Sequence, residues 1–430
     1  MTFRDDLALA SDWAASYLDR AGELPVAAGI RPGELAARLP TEAPEHGEPF
    51  AAVLRDLDEL VVPALTHWNH PRFFAWFSIT GSEAGILAEL LTATLNVNAM
   101  TWLASPAGTE LEQRTMAWLA QLLGLPAGWH GHIEDTASTS TLAALAAART
   151  VRPGGAVYAS AQANFSVEKA ARLLGLEYRP VDVDDAYRMR TDFAIEEATA
   201  VVATVGTTGT TSVDPVPELA RRCAEAGVWL HVDAAYAGAA AVCPELRWCL
   251  DGCERADSLV MNPHKWLFTP MDCSALWTRR PEALHEAFGI GRDYLAATEA
   301  AIDLKDYGPA LGRRFRALKL WTVLRMYGAE GLRALVREHV RLAQELASWV
   351  EEEPGWEVCA PHPFSTVCFR NVEGDNEAIA RAASATGELF VATARLGGTP
   401  VIRLAIGNAR TTEADVRRAW EVLRECARAQ

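Results

Sequence analysis

Short, unbroken apolar runs alternate with amphipathic stretches through the middle of the chain. Between about residues 71 and 300, β-rich runs begin at Ala156 ("AVYAS"), Ala200 ("AVVATVG"), Val228 ("VWLHVDAA"), Ser258 ("SLVMN") and Ser274 ("SALWT"). Helical spacing fills the intervals, as in "SVEKAARLLG" and "VPELARRCAEAG". An apolar run that does not alternate with polar residues suits a strand covered on both faces. Strand followed by helix followed by strand predicts crossover units and a mainly parallel sheet, with helices on both sides. In such a sheet a ligand binds beyond the carboxyl ends of the strands.

The flanks have other patterns. Residues 1–70 read as helices broken by Pro25, Pro32, Pro40, Pro44 and Pro63. Their apolar faces need cover, from another domain or a second subunit. On the C-terminal side, "LGRRFRALKLWTVLRMYG" predicts a long linking helix. Beyond it, the helical "GLRALVREHVRLAQELASWVEE" mixes with strand-like "FSTVCFR" and "VIRLAIG", a small α+β domain. The expected organisation is a helical segment at 1–70, a large α/β domain at 71–312, and a linking helix with the small domain at 313–430.

Charge and composition narrow the partners. The 430 residues carry a formal net charge of −16, which the phosphates of nucleic acid and of anionic membranes would repel. No apolar run approaches the roughly 18 residues of a spanning helix. The opening "MTFRDDLALASDWAASYLDR" has acidic residues and helical periodicity, so it reads as a helix of the mature protein, not a signal peptide. Eight cysteines lack a repeating spacing. No disulfide framework is expected, and a reducing cytoplasm fits. Cys249 and Cys253 read as one face of a helix. His67 with His70, and His130 with His132, have a metal-like spacing but no third ligand, so no metal is expected.

Three features at strand ends carry candidate chemistry. In "MNPHKWLF", Asn262 and Pro263 stop a buried strand, because proline removes a ladder donor. Lys265 then sits on a turn, followed by Trp266, Leu267 and Phe268. It is either a structural lysine that snorkels to solvent or an amine whose pKa is lowered by apolar neighbours and which acts as a nucleophile. Asp233 closes "VWLHVD". It is either a turn or cap aspartate or the partner of a cationic nitrogen, since a buried unpaired carboxylate is costly. "DTASTSTLAALAAART", from Asp135, begins a helix whose start is either an ordinary N-cap or a seat for an anion. "GTTGTTS" at Gly206 lacks the glycine-lysine ending of a nucleotide loop, which argues against a nucleoside triphosphate. Pyridoxal phosphate needs all three at once: a lysine for its aldehyde, a carboxylate for its pyridine nitrogen and a nest for its phosphate.

From about Trp68 to Gly328 the chain resembles the group II pyridoxal-phosphate decarboxylases, and in particular the aromatic L-amino-acid decarboxylases. The resemblance lies in "THWNHPRFFAWF", "TWLASPAGTELE", "ASTSTLAALAAAR", "VATVGTTGTTSVD", "WLHVDAAYAG", "NPHKW" and "LGRRFR", in that order. It implies an α/β fold like that of aspartate aminotransferase (fold type I), with a mainly parallel seven-stranded sheet. It also implies a homodimer with a shared active site, and an aromatic L-amino acid as the substrate, converted to the amine and carbon dioxide.

Position by position, the resemblance implies Lys265 as the lysine that links to the cofactor aldehyde, with His264 before it, and Asp233 as the partner of the ring nitrogen. Ala137, Ser138 and Asn262 match phosphate-binding positions, while Thr208 and Ala235 match residues lining the cofactor. Tyr294 matches a loop tyrosine that returns a proton to the α-carbon. Trp68, Trp76 and Phe77 border the substrate side chain, and Asn98 and Met100 stand where relatives reach in from the partner subunit. Asn164 is a departure, because the family carries a stacking histidine there. An amide has neither the aromatic face nor a proton that titrates near neutrality. Insect relatives that make aldehydes resemble the chain at that position, which opens the alternative of decarboxylation coupled to oxidative deamination.

Overall fold

The computed structural model describes residues 2–79, 81–290 and 301–430. Seven strands form the large sheet: β1 (His130–Glu134), β2 (Ala156–Ser160), β3 (Glu177–Val181), β4 (Ala198–Thr204), β5 (Trp229–Asp233), β6 (Ser258–Met261) and β7 (Ser274–Thr278). Their order is β1-β7-β6-β5-β4-β2-β3. β7 runs antiparallel to both of its neighbours, and the remaining pairs are parallel. The link from Met261 to Ser274 holds only a single helical turn, Pro263–Trp266. Without a crossover helix, β7 returns antiparallel.

β2, β4, β5, β6 and β7 are buried along their whole length, which is why they read as unbroken apolar runs. The two edge strands were absent from that pattern. In β3, "EYRPV", only Val181 is buried, and Pro180 is tolerated because an edge strand has a free side. In β1, "HGHIE", polar residues alternate with Gly131 and Ile133.

Helices Ala137–Val151, Phe165–Leu173 and Val216–Ala226 follow β1, β2 and β4. The β5–β6 link is instead a series of 3-10 turns. Cys249 and Cys253 therefore do not share a helix face: they lie in separate turns, Pro244–Leu250 and Cys253–Arg255, with Gly252 at φ 84° between them. A side chain on Gly252 would come within 2.7 Å of the Pro217 backbone. All eight cysteines are free.

Helix Phe3–Arg20 is capped by Thr2, yet none of its residues is fully buried. Helix Ala317–Glu352 bends at Gly328 (φ 61°, ψ 177°) and leads into the second sheet. That sheet comprises β8 (Trp356–Val358), β9 (Thr366–Asn371), β10 (Ala392–Leu396) and β11 (Thr399–Ala405), antiparallel in the order β10-β11-β9-β8. It has its own core, including Phe369, Ile402, Leu404 and Trp420. Among the described residues, no helix is long and apolar enough to cross a membrane.

Candidate active site

A cavity of about 220 Å³ opens at the carboxyl ends of β2, β4, β5 and β6. Its floor is made by two adjacent strand ends, since Asp233 on β5 is in register with Val260 on β6. Asp233 is only 4% exposed, and its Oδ1 accepts the Ala235 N–H at 3.0 Å. Burial raises its pKa, while the Lys265 ammonium and the Ala235 N–H pull the other way. Lys265 follows β6 on the Pro263–Trp266 turn and lines the same cavity, so it does not snorkel away. Burial lowers its pKa; Asp233 opposes this and Arg403 adds to it. Its Nζ lies 5.2 Å from the centre of the Phe77 ring. The result is an amine shifted toward its neutral, nucleophilic form beside a carboxylate held in a dry place.

One wall is built for an anion. Helix Ala137–Val151 has no side-chain cap from Thr136, whereas the helices that start at Glu83, Pro106, Asn376 and Glu413 are capped by Ser82, Ser105, Asp375 and Thr412. Asp135 instead binds the N–H of Thr136. The first-turn donors at Ala137 and Ser138 border the cavity at the positive end of the helix. Asn262, 2% exposed, accepts from Ser274 Oγ at 2.7 Å through its Oδ1, which leaves its amide N–H groups for the cavity. His264 accepts the Cys273 N–H on Nδ1 at 2.9 Å, so the ring proton sits on Nε2. Burial first, then Lys265, lowers the pKa of this imidazole to about 3, and it stays neutral.

Across the cavity, Asn164 is the N-cap of helix Phe165–Leu173. Its Oδ1 accepts from Ser166 N at 3.0 Å, and its Nδ2 donates to Thr208 Oγ1 at 3.3 Å. Both Asn164 and Thr208 line the cavity. Thr204 Oγ1, also on its wall, is buried with no hydrogen-bond partner among the described residues.

Of the aromatic residues, Phe77 forms part of the cavity wall. It stacks on Tyr236 at 3.9 Å, and Tyr236 stacks on Trp266 at 5.1 Å. Trp68 and Trp76 stack on each other at 5.3 Å, outside the immediate wall. Trp76 has φ 50°, a left-handed conformation unusual for a bulky residue. Its carbonyl accepts from Nη1 of Arg403.

The sequence reading missed Arg403. It lies on β11, is 3% exposed, and sits with Cζ 4.4 Å from the centre of the Phe77 ring. Its Nε donates to Gly209 O at 3.2 Å, while Nη2 has no hydrogen-bond partner among the described residues. The signal was present: in "VIRLAI" a charge interrupts an apolar run, as Asp233 closes one.

Asn98 and Met100 are not brought into this cavity. Asn98 accepts from Arg313 N at 2.9 Å, and its Nδ2 lies 3.4 Å from Met100 Sδ. Tyr294 lies outside the described residues.

A molecule bearing an aldehyde, a pyridine nitrogen and a phosphate fits this arrangement. In that fit Lys265 would meet the first, Asp233 the second and the uncapped helix start the third, and Thr204 Oγ1 is a buried polar atom without a partner among the described residues. Fold and cavity together define a fold-type-I pyridoxal-phosphate enzyme. The model described as the pyridoxal-dependent decarboxylase conserved domain matches residues 32–372, and the chain belongs to that family. It is 41% identical to a tyrosine decarboxylase of rice (Oryza sativa subsp. japonica), over 97% of this chain and 89% of the relative. It is 37% identical to a phenylacetaldehyde synthase of Arabidopsis thaliana, over 96% and 93%. Among solved structures, an Oryza sativa TDC with PLP and tryptamine superposes with a TM-score of 0.95 at 35% identity, covering 99% of this chain and 97% of that one. The protein is a decarboxylase that uses pyridoxal phosphate.

Proposed function

We propose that the enzyme removes the α-carboxyl group of an aromatic L-amino acid, giving the amine and carbon dioxide. One observation carries this reading. A half-buried amine (Lys265) and a buried carboxylate (Asp233) line one cavity, and a guanidinium with an unpartnered N–H group among the described residues (Arg403) lies against the same Phe77 ring as the amine. When bound, pyridoxal phosphate supplies a sink for the electron pair left by the departing carboxylate. The residues assigned to hold it are Lys265, Asp233, Ala235, Ala137, Ser138, Asn262, Thr208, His264 and Asn164.

Lys265 presents a neutral amine to the aldehyde. Asp233 holds a proton at the pyridine nitrogen, and His264 donates from Nε2. Arg403 receives the substrate carboxylate and orients it. Phe77, backed by Tyr236, excludes water, which favours exchange of a charged carboxylate for neutral carbon dioxide; Trp68 and Trp76 border the substrate side chain farther out. Tyr294 returns a proton to the α-carbon.

The active unit in this reading is a homodimer. An apolar groove between helices Phe3–Arg20 and Glu83–Leu95, lined by Leu7, Leu18, Leu87 and Leu90, supports it, as do exposed Leu91 and Leu95. Segment 1–70 then packs on the partner subunit, and Asn98 and Met100 serve the partner's substrate side, while 71–312 holds the cofactor and 313–430 brings Arg403. Eight unpaired cysteines suit a cytoplasmic setting. Holoenzyme incubated with tryptophan, tyrosine and phenylalanine should release equal amounts of amine and carbon dioxide. Absence of carbon dioxide from all three would overturn the reading.

Asn164 supports a second outcome on the same scaffold. Its amide is engaged with Ser166 and Thr208 and offers no proton that titrates near neutrality. In this outcome the amino acid, dioxygen and water give aldehyde, carbon dioxide, ammonia and hydrogen peroxide. Aldehyde with matching peroxide selects it; amine without peroxide eliminates it.

A further inference from the structure

The cap at Asn164 has a consequence for its neighbour. Phe165 is the first residue of helix Phe165–Leu173. Side chains in a helix tilt toward its N-terminus, which here is the cavity end, and Phe165 is among the residues that line the cavity. Yet 77% of its surface is exposed. An aromatic ring at such a position adds nothing to a core and is a mediocre helix former. A lone exposed apolar residue is ordinary on a protein surface. Leu173, at the far end of the same helix, is 67% exposed and is not among the residues lining this cavity.

Phe165 differs by its place. The inner wall of the cavity is aromatic and fixed, with Phe77 stacked on Tyr236. The rim beside Phe165 is polar, made of Asn164, Ser166 and Thr208. An apolar group that extends outward from Lys265 past that rim meets this ring on the outer side, opposite the inner Phe77 wall.

We infer that Phe165 is a specificity-determining residue, whose phenyl ring forms the outer apolar wall against which an aromatic substrate side chain packs. This rests on the decarboxylase reading above. Packing on the rim strengthens substrate binding without touching the reacting bonds, so it acts on KM and leaves kcat nearly unchanged.

The test compares wild type, Phe165→Ala, Phe165→Tyr and Leu173→Ala as holoenzymes, on the aromatic panel and on leucine. Phe165→Ala should raise KM for the aromatic amino acids by about 10-fold, and the kcat/KM preference for aromatic over leucine should fall in step. Phe165→Tyr should restore both, and Leu173→Ala should change neither. Cofactor absorbance and Tm should stay at wild-type values in all three variants, because both rings and the leucine are exposed. An unchanged KM in an active Phe165→Ala enzyme overturns the inference and leaves the decarboxylase reading intact. A weaker dimer with unchanged KM also overturns it, by assigning the ring to a subunit contact. A wild type inactive on every aromatic amino acid defeats the decarboxylase reading itself.

Discussion

Two helices begin at the rim of one cavity, and they begin differently. Ala137–Val151 starts with no side-chain cap, whereas Phe165–Leu173 is capped by Asn164. The first keeps its donors open for an anion, and the second satisfies them internally. The same rim therefore shows which groups are held back for a ligand and which hold the fold together. Asn164 belongs partly to the second kind: its oxygen is taken, and only its Nδ2, shared with Thr208, faces the chemistry.

The sharpest way to break this comparison is to remove the group that both helices surround. Lys265→Ala should lower kcat by about 10³-fold or more. Product formation near the wild-type rate would mean that the chemistry lies elsewhere.

Acid tests the floor beneath both helices. His264 and His231 are buried, and burial lowers each to about 3 from an ordinary value of 6.5. Because the folded values are depressed, the unfolded chain takes up protons first as pH falls. Stability is complete above the unfolded value and is lost on acidification toward the folded one. Each histidine removes up to roughly 1.4 kcal/mol per pH unit below 6.5. Unfolding free energies from urea titrations should be lower at pH 5.5 than at pH 7, with roughly 2–3 kcal/mol of the loss coming from this pair, a part that replacing both histidines should remove. A pH dependence unchanged by replacing both histidines would mean that these imidazoles are already charged or are not buried.

A third change gives the first helix the cap it lacks. Thr136→Asp places a carboxylate at the anion seat, and cofactor titration should show binding weakened by about 10- to 100-fold. Tighter binding would show that the seat does not take a phosphate. The smallest effect comes from stripping the second helix. Asn164→Ala should cost about 1 kcal/mol in a denaturant titration, and Asn164→Ser should recover most of it. Equal stability of all three would remove the structural half of the comparison.

The floor of the site was legible in the sequence because burial writes itself there. β5 and β6 are mostly apolar, so Asp233 at the end of one and Lys265 just beyond the end of the other stood out as charges, and one crossover between them implied neighbouring strands. The choice between a snorkelling lysine and an inward-facing one was not legible, since it depends on Phe77 and Asp233, which come from distant parts of the chain. Nor was the start of helix Ala137–Val151, where Thr136 is a good capping residue by type yet makes no cap. β1 and β3 escaped because edge strands carry polar residues. Arg403 escaped because a charge in a strand normally marks a solvent face, and only the tertiary fold brings β11 against Gly209 and Phe77.

That last arrangement bears on how the enzyme is recombined. Arg403 extends from the C-terminal sheet to hold the carbonyls of Gly209 and Trp76, so three widely separated stretches meet on a single guanidinium. A chimaera that imports its C-terminal module from a relative would inherit a working pocket only if the graft delivers an arginine at that register. β11 is better kept with the host sheet than traded as a spare part.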